Sequence, residues 1–272
     1  MITSVPDIDI YLLYYLDIPS VMNVSMISKQ EYKILSDQKF IMQLRLLKTI
    51  GTSFIIDDAA KHNYIEIIKW MHESINDFTY RKAINYVCSN GNIDLLKWFD
   101  KSKYKFVYIG DLINYASSKG HVNVLEWFDK SRYKFTYTQY TINVASWHGH
   151  VSILDWFDKS NHEFIYNEST ISMASKNGHI NVLKWFDKSK YELKYNKYAI
   201  DLASEYGHQE ILQWYHESKY EFIYSEYALD YASINGHMHI IDWFMNSPYK
   251  IKFSPKAKIP LKYFIEWVET HK

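Results

Sequence analysis

The stretch GHVNVLEWFDKS, from Gly120 to Ser131, returns with small changes along most of the chain, and this recurrence restricts the fold to stacked copies of one unit. Related stretches begin at Gly149, Gly178, Gly207 and Gly236, each 29 positions after the last, and Trp127, Trp156, Trp185, Trp214 and Trp243 keep the same interval. Degenerate copies begin at Gly91, with Trp98 in register, and at Asn63, with Trp70 one position short. A period of roughly 20–50 residues marks an array in which each unit buries its apolar face against its neighbours. Such arrays are extended binding surfaces. An enzyme would therefore need positive evidence.

The unit is legible residue by residue between Tyr140 and Tyr166. Ile142 and Ala145 lie three apart, on one face of a short first helix. The small Ala145, repeated as Ala116, Ala174, Ala203 and Ala232, lets a neighbouring helix approach closely. Gly149 ends that helix as a residue that accepts positive φ, and the chain re-enters helix at His150 or Val151. Ile153, Leu154 and Phe157, with Trp156, give the second helix a broad apolar face toward the shared core. After Ser160 the apolar positions alternate, as in Phe164 and Tyr166 or Tyr133, Phe135 and Tyr137, so this return is extended.

The residues Ala145-Ser146-Trp147-His148-Gly149-His150, followed by Ile153-Leu154 and Trp156-Phe157, resemble an ankyrin repeat. The resemblance implies an all-α fold, an α-solenoid of ankyrin-like helix pairs, with about seven repeats over residues 51–249. The unit is shorter than the usual ankyrin period of about 33 residues. The shortfall lies between Tyr137 and Thr141, where ankyrin repeats build a projecting hairpin, and their Thr-Pro-Leu-His opening is reduced here to Tyr140-Thr141-Ile142-Asn143.

Residues 1–50 and 250–272 stand outside the repeat. The first read as three short helices, broken at Asp17-Ile18-Pro19-Ser20 and closed by Gly51-Thr52-Ser53. Pro6, Leu16, Pro19, Val24, Ile27, Ser28, Lys29, Leu35 and Asp37 fall where an F-box would place its pattern, and this segment resembles that family over about forty residues. It departs in the Pro6 to Leu16 spacing, in Glu31, and in Phe40 or Ile41 at the position of the final Trp. The other reading is a helical cap shielding the first repeat, which every solenoid needs. At the far end, Pro248, Pro255 and Pro260 precede an amphipathic stretch with Leu261, Phe264, Ile265, Trp267 and Val268, read as a C-terminal cap.

Composition narrows the partners. Thirty-one basic residues against thirty-one acidic ones give no field to concentrate nucleic acid or an anionic membrane. Cys88 is the one cysteine, which fits a reducing, intracellular setting. Ile8 to Leu16 is interrupted by Asp9 and lacks the flanks of a signal peptide, and no run is long enough to span a membrane. The recurring His121, His150, His179, His208 and His237 cannot share a zinc ion, since equivalents in stacked units stand roughly 10 Å apart. They are expected to hydrogen-bond backbone at each turn. His148-x-His150 and His237-x-His239 have no third ligand nearby in sequence. No nucleophile elbow, P-loop or dinucleotide fingerprint occurs, so neither catalysis nor a cofactor is expected.

The resemblances together imply a non-catalytic substrate receptor, docked through the F-box on a Skp-type adaptor of a cullin–RING ubiquitin ligase. Proteins of this look are common in large DNA viruses, including those of amoebae, which would place this one in the host cytoplasm. The adaptor contacts would be Pro6, Ile10, Leu13, Leu16 and Ile18. A plain ankyrin scaffold or decoy is the alternative. For the substrate surface, the pair before each turn glycine varies most, running Ser118-Lys119, Trp147-His148, Lys176-Asn177, Glu205-Tyr206 and Ile234-Asn235. Trp147 and Tyr206, with Tyr140, Tyr198 and Tyr227 at the starts of their repeats, are the expected aromatic contacts, since exposed Trp and Tyr most often carry interface energy. Trp147 could equally fill a gap between repeats.

Overall fold

The computed structural model describes residues 81–102, 106, 109–255 and 257–258, with isolated positions at 57, 60, 61, 63, 65, 68 and 265. The proposed adaptor contacts Pro6, Ile10, Leu13, Leu16 and Ile18 lie outside the described residues, as does the closing apolar stretch apart from Ile265. The chain divides into two compact units, residues 1–106 and 107–272. Among the described residues there are twelve α-helices and no strand, and the fold is an all-α solenoid.

In the first unit, α1 (Arg81–Ser89) and α2 (Ile93–Lys101) are joined through Gly91, which has φ +67°. Asn63 takes the same left-handed conformation at φ 62° and makes the same turn bonds, its N–H to the Ala60 carbonyl and its own carbonyl to the Ile65 N–H. Asparagine is among the few non-glycine residues that tolerate this geometry. The irregular upstream copy thus keeps its turn. Asn92 caps α2 by accepting from the Leu95 N–H and donates to Asn63 Oδ1 at 2.6 Å.

The second unit contains five pairs: α3 (Ile109–Ser117) with α4 (Val122–Lys130), α5 (Gln139–Trp147) with α6 (Val151–Lys159), α7 (Glu168–Lys176) with α8 (Ile180–Lys188), α9 (Tyr198–Glu205) with α10 (Gln209–Glu217), and α11 (Tyr227–Ile234) with α12 (Met238–Met245). Each first helix ends in a Schellman turn. At α5 the His150 N–H bonds the Ala145 carbonyl at 2.9 Å and the Gly149 N–H bonds the Ser146 carbonyl at 3.1 Å, with Gly149 at φ +72°. Each second helix ends on a serine that the sequence reading passed over. Ser131, Ser160, Ser189, Ser218 and Ser247 donate their hydroxyls back to the carbonyl three residues earlier, which satisfies one of the orphan groups of the helix end.

The core is built from both helices of each pair. Ala116, Ala145, Ala174, Ala203 and Ala232 are fully buried, and without bulk there the first helices of adjacent repeats pack closely together. The second helices touch one another far more sparsely. Phe128, Phe157, Phe186, Tyr215 and Phe244 fill the space between the helix layers, and each contributes on the order of 1.5–3 kcal/mol by leaving water.

The tryptophan column departs from its expected place. Trp127, Trp156, Trp185, Trp214 and Trp243 are only half-buried, and it is the neighbouring Phe or Tyr that enters the core. Trp156 instead stacks with Phe135 and His162 from the extended returns, ring centroids 5.5 and 5.6 Å apart, and Trp185 stacks with Phe164 and Tyr191 in the same way. Where the preceding second helix offers an acceptor, the indole N–H finds its partner at this edge. Trp185 Nε1 donates to Asp155 at 2.6 Å and Trp243 Nε1 to Gln213 at 2.8 Å, each on the preceding second helix. The extended returns form no ladder. They are joined through tyrosines: the hydroxyls of Tyr137, Tyr166 and Tyr195 donate to the carbonyls of Glu163, Glu192 and Glu221 in the next return.

Segment 250–258 begins one further half-repeat. Ser254 stands one period after Ser225, and both are held by a carboxylate of the preceding first helix, Asp230 and Asp201 respectively, which accepts the serine N–H at 2.8 Å and its hydroxyl. Ser254 thus carries the repeat's serine–carboxylate contact past α12.

Candidate protein-binding face

The surface of the second unit is unequal on its two sides. Its exposed large apolar side chains are Tyr115, Tyr140, Trp147, Tyr198, Tyr206, Tyr227, Tyr231 and Ile234, with Ile223 and Ile265. All but the last two lie on a first helix or cap one, and none lies on a second helix. The second helices turn their apolar residues to the core and the tryptophan stacks, so their free sides carry polar groups such as Asn123, Glu126, Ser152, Asn181 and Lys184.

Local sequence explains how the first helices hold these rings outward. Thr141 is buried at the start of α5 and donates to Asn114 of the previous first helix at 2.6 Å; Thr170 does the same to Asn143. Thr138 and Asn167 close capping boxes with those threonines, which fixes the helix entry. With Thr141, Ile142 and Ala145 turned inward, Tyr140 and Trp147 are left outside at 55% and 39% exposure. Trp147 does not fill a gap between repeats. Tyr198 and Tyr227 open α9 and α11, and Tyr206 is the C-cap of α9; all three are exposed.

The five residues do not form one patch. Tyr140, Tyr198 and Tyr227 lie at the N-terminal ends of the first helices, whereas Trp147 and Tyr206 lie at the C-terminal ends, seven or eight residues away and hence roughly 10 Å along the axis. Tyr115, Tyr231 and Ile234 extend the face; of these, only Ile234 belongs to a pair that the sequence marks as variable. The signal for the other two is an aromatic at 86, 115 and 231 in a column that holds Val144, Met173 and Leu202 between them. Cations flank the rings: Lys176 Nζ lies 4.8 Å from the Tyr206 ring centre and Lys197 Nζ 5.7 Å from that of Tyr198. The His148 ring is stacked beside Trp147 at 6.2 Å.

Other chemistry-bearing groups are taken up in the array. Lys190 pairs with Asp158 at 2.8 Å and Lys219 with Asp187 at 3.0 Å, each across one repeat boundary, so these two basic residues are taken up between neighbouring repeats. His162 reaches Asp129 at 2.7 Å in the same way. Cys88 is buried and burial pushes its thiol up, far from a reactive thiolate. Among the described residues, no three His, Cys, Asp or Glu side chains come together as metal ligands. No helix among them is long and apolar enough to cross a membrane.

His150 Nε2–H donates to the Ser118 carbonyl at 3.1 Å and His208 Nε2–H to the Lys176 carbonyl at 2.9 Å, while His179 bonds the Trp147 backbone. These histidines bond backbone at the turn, as the sequence suggests, but they do so across the boundary to the previous repeat. The variable residues before the glycines offer the histidines a backbone carbonyl, a group that every residue type carries. Their side chains stay free to differ.

No curated protein matches this chain. A family model described as ankyrin repeats (many copies) matches residues 200–245, which run from α9 through α12. A repeated helical scaffold with an ankyrin match indicates a protein-binding module, a type that is typically non-catalytic.

Proposed function

We propose that this chain is a non-catalytic receptor that holds a protein partner across its first-helix face, with Tyr140, Trp147, Tyr198, Tyr206 and Tyr227 as principal contacts. The observation carrying this reading is the confinement of exposed aromatic residues to the first helices, when the second helices of the same repeats show none. Exposed apolar groups flanked by charge are typical of interaction sites, and tyrosine and tryptophan supply large contact areas at low entropic cost. A photo-crosslinking residue placed at Tyr198 or Tyr206 should capture the partner, and one at Lys184 on α8 should not. Capture at Lys184 alone would move the site to the other side.

The finer part of the proposal is a link to ubiquitin ligation, supported by the F-box resemblance of residues 1–50. In it, Pro6, Ile10, Leu13, Leu16 and Ile18 dock a Skp-type adaptor in the host cytoplasm, and residues 51–249 present the substrate. The full chain should then co-purify with the adaptor, and Leu16→Asp should abolish this while the helical array stays folded. Undiminished adaptor in that variant sinks the link. Collapse of the whole fold assigns residues 1–50 to a cap.

A further inference from the structure

Turn histidines inside the array bridge two repeats. Nε2–H of His150 and of His208 donates to a carbonyl of the preceding repeat, so Nδ1 is the nitrogen left to take up or lose a proton. Nδ1 faces the preceding turn. A Cβ built on Gly120, Gly149 or Gly178 would lie 2.8, 2.6 or 2.7 Å from Nδ1 of His150, His179 or His208. The proton that arrives as the medium turns acidic must therefore enter a tight interface.

The charged and titratable groups around these rings are of one sign. His150 faces Lys119 and His121 from the preceding repeat, His148 from its own turn and His179 from the next. His179 faces His148, His150 and His208. No carboxylate stands among them to compensate a new positive charge.

We propose that this histidine ladder makes the coupling between neighbouring repeats acid-sensitive, the array loosening at the Gly120 and Gly149 turns as His150 and His179 gain protons. Burial, together with the neighbouring cations and histidines, holds His148, His150 and His179 below the usual histidine range. As pH falls, the unfolded chain therefore binds protons before the folded one does. The stability contribution is complete above the ordinary histidine value of about 6.5 and is lost as pH drops from there through the lower folded-state values. In a solenoid, stability is a sum of unit and nearest-neighbour terms, so weakening two adjacent interfaces separates the array at its middle. His179 bonds the Trp147 backbone, so the affected turn also carries one of the exposed rings of the first-helix face.

Urea unfolding of the full chain, followed by circular dichroism at pH 7.5 and pH 5.5, tests this with the double variant His150→Gln/His179→Gln, which keeps an N–H donor without a titratable ring. The wild-type midpoint should fall on acidification, and the double variant should lose a clearly smaller share of its midpoint. Equal falls in the two proteins, or no fall in the wild type, overturn the proposal. Should the double variant not fold, ring titrations of the wild type by NMR decide. His150 and His179 titrating below about 6.5 support the ladder as an acid-sensitive element, and titration at or above that value overturns it.

Discussion

The imidazole of His150 lies so close to Gly120 that a single methyl group on that glycine would meet Nδ1 at 2.8 Å, while Nε2–H of the same ring donates to the Ser118 carbonyl. The glycine thus serves twice: its φ of +73° turns the chain, and its bare Cα seats the next repeat. At Gly236 a Cβ would meet nothing within 4 Å, so only the first role applies there.

Gly149→Ala should destabilise the array by more than the roughly 1–2 kcal/mol that left-handed backbone costs an ordinary residue, because its Cβ also strikes His179. Gly236→Ala should cost the backbone term alone. A thermodynamic cycle of Gly149→Ala with His179→Ala should be non-additive, the glycine change costing less once the ring is gone. Strict additivity in urea denaturation would show that the ring yields freely.

Phe157 and Trp156 are neighbours in sequence with different surroundings. Phe157→Ala should cost about 3–5 kcal/mol as a fully buried aromatic. Trp156→Ala should cost less, since its ring is half-buried and stacked on Phe135 and His162. Equal losses in chemical denaturation would place Trp156 in the core after all.

Tyr215 stands where the other repeats of the second unit have phenylalanine, and its buried hydroxyl has no hydrogen-bond partner. Ser175 lies near enough to act on the phenol without reaching bonding geometry, and burial pushes the phenol's pKa far up. Tyr215→Phe should raise stability by about 1 kcal/mol, since an unsatisfied buried polar group costs roughly 1–3 kcal/mol. A lowered melting temperature would mean that the hydroxyl is satisfied in solution.

Trp147→Ala should leave stability within about 0.5 kcal/mol of wild type, as for a surface change. The same substitution should weaken partner capture. A large fall in melting temperature with capture intact would make Trp147 a packing residue and remove it from the binding face.

The amino-acid sequence by itself determined the repeat, the helix pair and the turn. A left-handed turn demands glycine, close helix approach demands alanine, and a shared core demands the aliphatic pair, so these requirements recur at fixed spacing in Ala145, Gly149, Ile153 and Leu154. The variable pair before each turn glycine marked Trp147 as a surface candidate, with gap filling between repeats as the equal alternative, and its exposure is a matter of tertiary packing. Three-dimensional contact decided between residues of similar chemistry. Trp156 and Phe157 both read as apolar, but only the phenylalanine is fully buried, and the tryptophan column lies at the edge of the core, where the indoles of Trp185 and Trp243 reach Asp155 and Gln213. Tyr115 and Tyr231 were hidden because an apolar residue on a first helix is inside or outside according to how its neighbours pack. The bond from His150 to Ser118 spans 32 residues and ends on a carbonyl, an atom common to every residue type, so no side-chain pattern announces it.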